Sequence, residues 1–245
     1  SPDPSITGTT IFCTGTTTTL SNAGGVGNWT SSNPGVAIAG ATTGIITGAT
    51  AGTATISYSN GCGTPASIVV TVNQTPTVIT GASVACMGIT TTYTNGVAGG
   101  TWSSSSTGVA TINSSTGELT PVSVGTTNIN YSLGNGCADA VLNVAVQTAP
   151  GSISGSSFLC IGSGSTYLNT SAGGTWSSSN TAIATIGSSS GIANGVTQGT
   201  VTISYINGCG SATRPISINA VPATITGSTL ACLSSSTTLS NTSLN

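Results

Sequence analysis

Charge is what this sequence most lacks. Arg214 is the sole Lys or Arg, against the carboxylates Asp3, Glu118 and Asp139; His is absent and the formal net charge is −2. Binding to nucleic acid needs clustered cations that displace counterions from phosphates, and an anionic membrane needs a basic patch, so both partners are excluded. No apolar run approaches the roughly 20 residues of a membrane helix, which argues against insertion. The chain opens Ser1-Pro2-Asp3 without a signal peptide, the expected start of a mature or excised fragment.

The same poverty removes most catalytic chemistry. A nucleophilic Ser needs a positioned base, and here there is neither His nor Lys. Asp3, Glu118 and Asp139 are isolated, so neither a carboxylate pair for glycoside hydrolysis nor a calcium cage can be assembled. Zinc sites use closely spaced Cys or His, and no Cys-x-x-Cys occurs. Gly24-Gly25 and Gly99-Gly100 lead into no helix and no Lys, so they are not phosphate loops. The expectation is a protein that is not an enzyme and uses no metal or cofactor.

What is present is Thr, Ser, Gly and β-branched residues. The hydrophobic fraction of 37% separates the chain from disordered polar sequences and favours folded β structure. Landmarks recur with one period. Gly8, Gly81, Gly155 and Gly227 each stand five residues before Cys13, Cys86, Cys160 and Cys232, whose spacings are 86−13=73, 160−86=74 and 232−160=72. Trp29, Trp102 and Trp176 follow the first three of these at an offset of 16, and Asn-Gly-Cys recurs, ending at Cys62, Cys137 and Cys209. Such a period marks tandem modules. The repeats run 1–75, 76–149 and 150–221, with boundaries near Pro76, Pro150 and Pro222. Residues 222–245 match only the start of a fourth, so the parent protein is expected to continue beyond Asn245.

Each repeat reads as strands. In 52–58, Ala54, Ile56 and Tyr58 alternate with Thr53, Thr55 and Ser57, and 199–205 alternates through Val201, Ile203 and Tyr205. Period-two alternation predicts half-buried strands. Residues 68–72 and 141–146 read as closing strands, and the Asn-Gly pairs predict tight hairpins. The Trp of each repeat reads as a core anchor, its fixed place favouring packing over sugar stacking. The expected fold is all-β, a row of small sandwiches.

Trp176-Ser177-Ser178-Ser179-Asn180, Ala182-Ile183-Ala184-Thr185-Ile186 and Gly199 to Tyr205, with Trp29 to Pro34 and Gly52 to Tyr58, resemble the bacterial Ig-like group 2 domain. With its Cys, the repeat is similar to modules of secreted Bacteroidota surface proteins. The resemblance implies immunoglobulin-like sandwiches of about seven strands, used in adhesins and surface stalks, with no catalytic residues.

The seven Cys fit three pairs plus Cys232, and disulfides imply an oxidising, extracellular location. One scheme pairs them within repeats, as Cys13–Cys62, Cys86–Cys137 and Cys160–Cys209; the other staples neighbours, as in Cys62–Cys86. The first lets each domain fold alone and is the expectation, provided the two Cys do not lie at opposite poles. Sequons stand at Asn28, Asn73, Asn113, Asn130, Asn169 and Asn241, as expected by chance in so Ser/Thr-rich a chain. Arg214 precedes Pro215, so trypsin should barely cut the chain.

Edge strands are usually guarded by charge, and here charged residues are 2% of the chain. Solvated hydroxyls or glycans could keep it soluble; lateral self-association would cover the edges instead. The function expected is a non-catalytic stalk or filament outside the cell, with neighbouring repeats or further copies as partners. The alternative is an adhesive module whose loops bind a glycan or surface. Ice binding by Thr16 to Thr19 and Thr90 to Thr92 ranks third, because regular Thr-x-Thr ranks are absent.

Overall fold

Alternation carries the architecture. Wherever apolar residues fall on every second position, the chain extends and turns that face inward. The structure, a computed structural model, describes residues 3–230, 232–233 and 235–241, and every helix or strand among them is a strand.

The first repeat holds β1 (Ile6–Thr7), β2 (Ile11–Cys13), β3 (Thr17–Thr19), β4 (Ser21–Asn22), β5 (Asn28–Ser31), β6 (Ala37–Ala39), β7 (Ile45–Gly48), β8 (Gly52–Ser59) and β9 (Ala66–Asn73). The second holds β10 (Val84–Cys86), β11 (Thr91–Thr92), β12 (Thr101–Ser104), β13 (Ala110–Ile112), β14 (Glu118–Pro121), β15 (Gly125–Ser132) and β16 (Ala140–Gln147). The third holds β17 (Phe158–Cys160), β18 (Gly164–Thr166), β19 (Thr175–Ser178), β20 (Ala184–Ile186), β21 (Ile192–Gly195), β22 (Gly199–Asn207) and β23 (Gly210–Asn219). Short β24 (Thr226–Gly227) and β25 (Leu239–Ser240) follow, paired as β1 is with β4.

One pattern is used three times. A four-stranded sheet (β2-β9-β8-β5, β10-β16-β15-β12, β17-β23-β22-β19) accompanies a three-stranded one (β3-β7-β6, β11-β14-β13, β18-β21-β20). The chain is thus all-β, a tandem of immunoglobulin-like sandwiches. In each large sheet the first strand joins the last in parallel, so Phe12 faces Val72 and Leu159 faces Ile218, while the long hairpin runs antiparallel.

The chain divides into two compact units. One contains the described residues of Ser1–Ser83, Thr90–Val122 and Thr126–Val144; the other contains those of Val84–Ile89, Ser123–Gly125 and Ala145–Asn245. The first is centred on Trp29, Ile46, Ile56, Tyr58 and Val70. The second is centred on Tyr167, Trp176, Ile203, Ile216 and Ile218. Burying one such side chain contributes about 1.5–3 kcal/mol.

The tight Asn-Gly hairpins expected from sequence form only in part. Gly61 and Gly136 take positive φ, 83° and 84°, but within loops 60–65 and 133–139. In the third repeat Asn207 pairs with Gly210 around a two-residue turn, and the positive φ falls on Gly210.

Candidate functional site

Each repeat carries its two cysteines at opposite ends of one strand. Cys13 ends β2 and lies in register with Asn73, the last residue of β9, while Cys62 lies in the loop before Ala66, where β9 begins. From 66 to 73 is 73−66=7 steps, about 23 Å at ~3.3 Å per step. A disulfide spans only about 4.4–6.8 Å between Cα atoms. Cys86 against Gln147 and Cys160 against Asn219 repeat the placement, with Cys137 and Cys209 before the far ends of β16 and β23. The within-repeat scheme is therefore overturned by the length of the strand that separates the partners.

The bonds formed are Cys13–Cys137, with Cα atoms 5.7 Å apart, and Cys86–Cys209, at 5.5 Å. Each joins the strand-end Cys of one repeat to the hairpin Cys of the next. Neighbours are stapled, but not as Cys62–Cys86: Cys86 is taken by Cys209, and Cys62 is free and exposed. Cys160 and Cys232 are free and exposed as well.

Local hydrogen bonds present both halves of this joint. In the hairpins the Cys N–H donates to the Asn two residues earlier: Cys62 to Asn60 Oδ1 at 2.9 Å, Cys137 to Asn135 at 3.1 Å and Cys209 to Asn207 at 2.9 Å. This is an Asx turn, which Asn makes because its carbonyl sits at the right reach. At the strand ends, Cys13 N–H donates to Thr16 Oγ1 and Cys160 N–H to Ser163 Oγ, while Thr16 N–H and Ser163 N–H return to the Cys carbonyls.

Across the first joint Asn135 Nδ2 donates to Gln74 O at 2.8 Å, and Asn73 Nδ2 donates to Asn135 O at 2.6 Å. Across the second, Asn207 Nδ2 donates to Thr148 O at 2.9 Å, and Val84 lies over Gly208, where an added Cβ would stand 2.8 Å from Val84 Cγ1. Gln147 Oε1 is buried there without a hydrogen-bond partner.

The tryptophans lie inside. Trp29, Trp102 and Trp176 are buried and tilt against Tyr58, Tyr131 and Tyr205, with ring centroids 4.9, 4.6 and 4.7 Å apart. The three Tyr hydroxyls donate to Gly25, Val97 and Ser171 carbonyls, so each ring is buried with its polar end satisfied. Sequence reasoning missed the glycines beneath the Trp rings. Gly44, Gly117 and Gly191 have φ of 67–72°, and a Cβ there would meet a backbone carbonyl at 2.2–2.5 Å. Their spacing, 117−44=73 and 191−117=74, was signal enough.

The charged groups do not converge. Asp3 accepts from Asn60 N–H at 3.4 Å, Glu118 is exposed on β14, and Arg214 donates to Ile153 and Gly155 carbonyls. Among the described residues no group of three or more His, Cys, Asp or Glu could hold a metal ion, and no helix is long and apolar enough to cross a membrane. Burial raises the Tyr93 hydroxyl above its ordinary 10.0; it raises Tyr167 too, there opposed by Arg214.

No family model matches the chain, and neither does any curated protein. Among solved structures, a C-terminal 282-residue fragment of intimin, in complex with the intimin-binding domain of the translocated intimin receptor, is 21% identical over 60% of this chain and 66% of that one, with a TM-score of 0.41. Domains 1–6 of the surface layer protein SbsC are 17% identical over 93% of this chain and 42% of theirs, with a TM-score of 0.28. The I67–I69 fragment of the titin I-band is 12% identical over 88% and 98%, with a TM-score of 0.31. The chain thus spans under two thirds of the intimin fragment and under half of the SbsC chain.

Proposed function

We propose that this chain is a non-catalytic structural array, a stalk or filament of an extracellular cell-surface or adhesin protein. Its repeats are 1–75, 76–149 and 150–221, with the start of a fourth at 222–245, of the bacterial Ig-like group 2 kind. The observation that carries the reading is the disulfide between successive repeats. A bond that served only folding could lie inside one domain. A bond from each repeat to the next instead holds the joint that would otherwise bend, and it closes a large loop, 124 residues for Cys13–Cys137. On the chain-entropy model such a loop is worth about 5 kcal/mol.

The two loops also interlock. Between Cys13 and Cys209 the shortest covalent path crosses Cys13–Cys137, runs back through 137−86=51 residues to Cys86 and crosses Cys86–Cys209; longer paths use one bond and 209−137=72 or 86−13=73 residues. The shortest path puts both disulfides in series under the pull. Disulfides persist in oxidising compartments, which supports an extracellular setting.

Small-angle scattering of the oxidised and reduced protein tests the stiffened joint. Reduction should broaden the distribution of interatomic distances while the far-ultraviolet circular dichroism stays sheet-like. Identical profiles would contradict the reading, and saturable binding on a glycan array would favour an adhesive module instead.

A further inference from the structure

Each joint is held by an asparagine, and each of those asparagines precedes a glycine. We infer that Asn135 and Asn207 are latent modification sites. The closed joint keeps them as amides; once a joint opens, its asparagine converts to aspartate or isoaspartate, and that joint no longer closes. The inference goes beyond the structural-array reading and needs only the two joints.

The chemistry is spontaneous. The Gly136 nitrogen gives its proton to hydroxide and attacks Cγ of Asn135. A C–N bond forms, the Cγ–Nδ2 bond breaks, and Nδ2 leaves as ammonia with a proton from water. Water then opens the succinimide at either carbonyl, to aspartate or to isoaspartate. No electrons are gained or lost, so no oxidant takes part. Glycine permits the attack because no Cβ crowds its nitrogen. Gly136 is exposed, and an added Cβ there would meet nothing within 4 Å.

The closed joint opposes this attack. Nδ2 of Asn135, the leaving group, is held on Gln74 O at 2.8 Å, and Oδ1 is held by Cys137 N–H at 3.1 Å. Asn73 Nδ2 donates to Asn135 O at 2.6 Å and so fixes the peptide unit whose nitrogen must swing toward Cγ. In the second joint Asn207 Nδ2 is held on Thr148 O and Oδ1 by Cys209 N–H, both at 2.9 Å, and Val84 lies over Gly208. Breaking the disulfide releases the Gln74 or Thr148 carbonyl and leaves the asparagine only the bonds of its own repeat.

Conversion then spoils the joint. Aspartate sets a carboxylate, which only accepts, against a carbonyl that needs a donor. Isoaspartate adds a main-chain atom ahead of Gly-Cys and turns the cysteine off its aim.

Asn95-Gly96 is an internal control. Its Oδ1 accepts from Thr77 N–H at 3.2 Å and Val97 N–H at 3.0 Å, and its Nδ2 donates to Thr77 O, all inside one repeat and independent of any disulfide.

The test ages the 245-residue protein, Cys13→Ser and Cys86→Ser in mildly alkaline buffer, free thiols alkylated. Pepsin digestion at low pH and electron-transfer mass spectrometry then count aspartate and isoaspartate at each site. Cys13→Ser should speed conversion of Asn135 by about 2–10-fold, the worth of the one amide bond given up, and leave Asn207 and Asn95 at the parent rate. Cys86→Ser should do the same to Asn207 alone. Unchanged rates at Asn135 and Asn207 would overturn the inference. Should Asn95 rise as well because a variant loosens its sandwich, Asn73→Ala decides with both disulfides in place: faster conversion of Asn135 alone upholds the inference, and no change overturns it. Parent protein that is reduced, aged and re-oxidised should carry less isoaspartate at position 135 in peptides linked through Cys13–Cys137 than in unlinked ones. Equal shares would overturn the claim that the converted joint no longer closes.

Discussion

The two joints use the same chemistry on different hairpins. The first places Cys137 in the loop 133–139 and adds Asn73, whose amide reaches across to Asn135 O. The second places Cys209 on a two-residue turn and packs Val84 over Gly208, while its counterpart of Asn73, Gln147, leaves Oε1 buried and unpartnered. Common to both are the disulfide and one Asn amide given to the carbonyl just past the preceding sandwich. The joint therefore needs a Cys at a strand end, an Asx turn that aims a second Cys, and an open carbonyl; the loop around them is free to change.

The comparison breaks most heavily at sulfur. Cys137→Ser and Cys209→Ser should each destabilise by about 5 kcal/mol on the chain-entropy model, read as urea midpoints against the oxidised parent. The double variant should lose less than the sum, because the loops overlap. Equal stability of parent and variants would show that the bonds constrain nothing.

Steric contact separates the joints next. Gly208→Ala places its Cβ against the stiff β-branched Val84 and should cost about 1–3 kcal/mol, relieved by Val84→Ala in a double-mutant cycle. Gly136 has nothing within 4 Å, so Gly136→Ala should cost only its left-handed backbone, about 1–2 kcal/mol, and Ile11→Ala at the position matching Val84 should not restore it.

Smaller still are the amides. Asn135→Ala and Asn207→Ala should each cost about 0.5–1.5 kcal/mol for the bond across the joint, beyond what Asn60→Ala costs in an unfilled hairpin. Identical losses at all three would assign the whole effect to the Asx turn.

The smallest effect compares tyrosines of the two units. Tyr93 and Tyr167 hold their protons more tightly folded than unfolded. Their contribution is thus complete below the unfolded value near 10 and is lost as pH rises through the raised folded values. Urea midpoints should begin to fall only above about pH 10, less steeply in Tyr93→Phe. Arg214→Gln should raise Tyr167 further, with no effect on Tyr93, in an ultraviolet titration of phenolate.

Much of this was legible in sequence because it is periodic. The alternation through Ala54, Ile56 and Tyr58 is that of β8, and the Trp offsets carry over to three matching Trp–Tyr pairs. Disulfide connectivity was not legible, because it depends on which pole of a strand each Cys occupies. Cys13 and Cys62 are 49 residues apart in sequence yet separated by the length of β9, while Cys13 and Cys137, 124 residues apart, meet. Sequence separation and spatial distance invert at a joint. Gly44, Gly117 and Gly191 were legible in principle, since they share the cysteine period, but a Gly reads as a turn until the ring above it is seen.

The most direct test of the interlocked joints is single-molecule pulling from handles placed at Asn73-independent surface sites beside Cys13 and Cys209. With both disulfides intact, the unfolded span between those residues should stop at the shortest covalent path, through both bonds and the 137−86=51 residues between Cys86 and Cys137, about 180 Å at ~3.5 Å per residue. After reduction it should reach 209−13=196 residues, about 690 Å on the same basis. An oxidised span near the reduced one would contradict the account, because no bond would then be joining one repeat to the next.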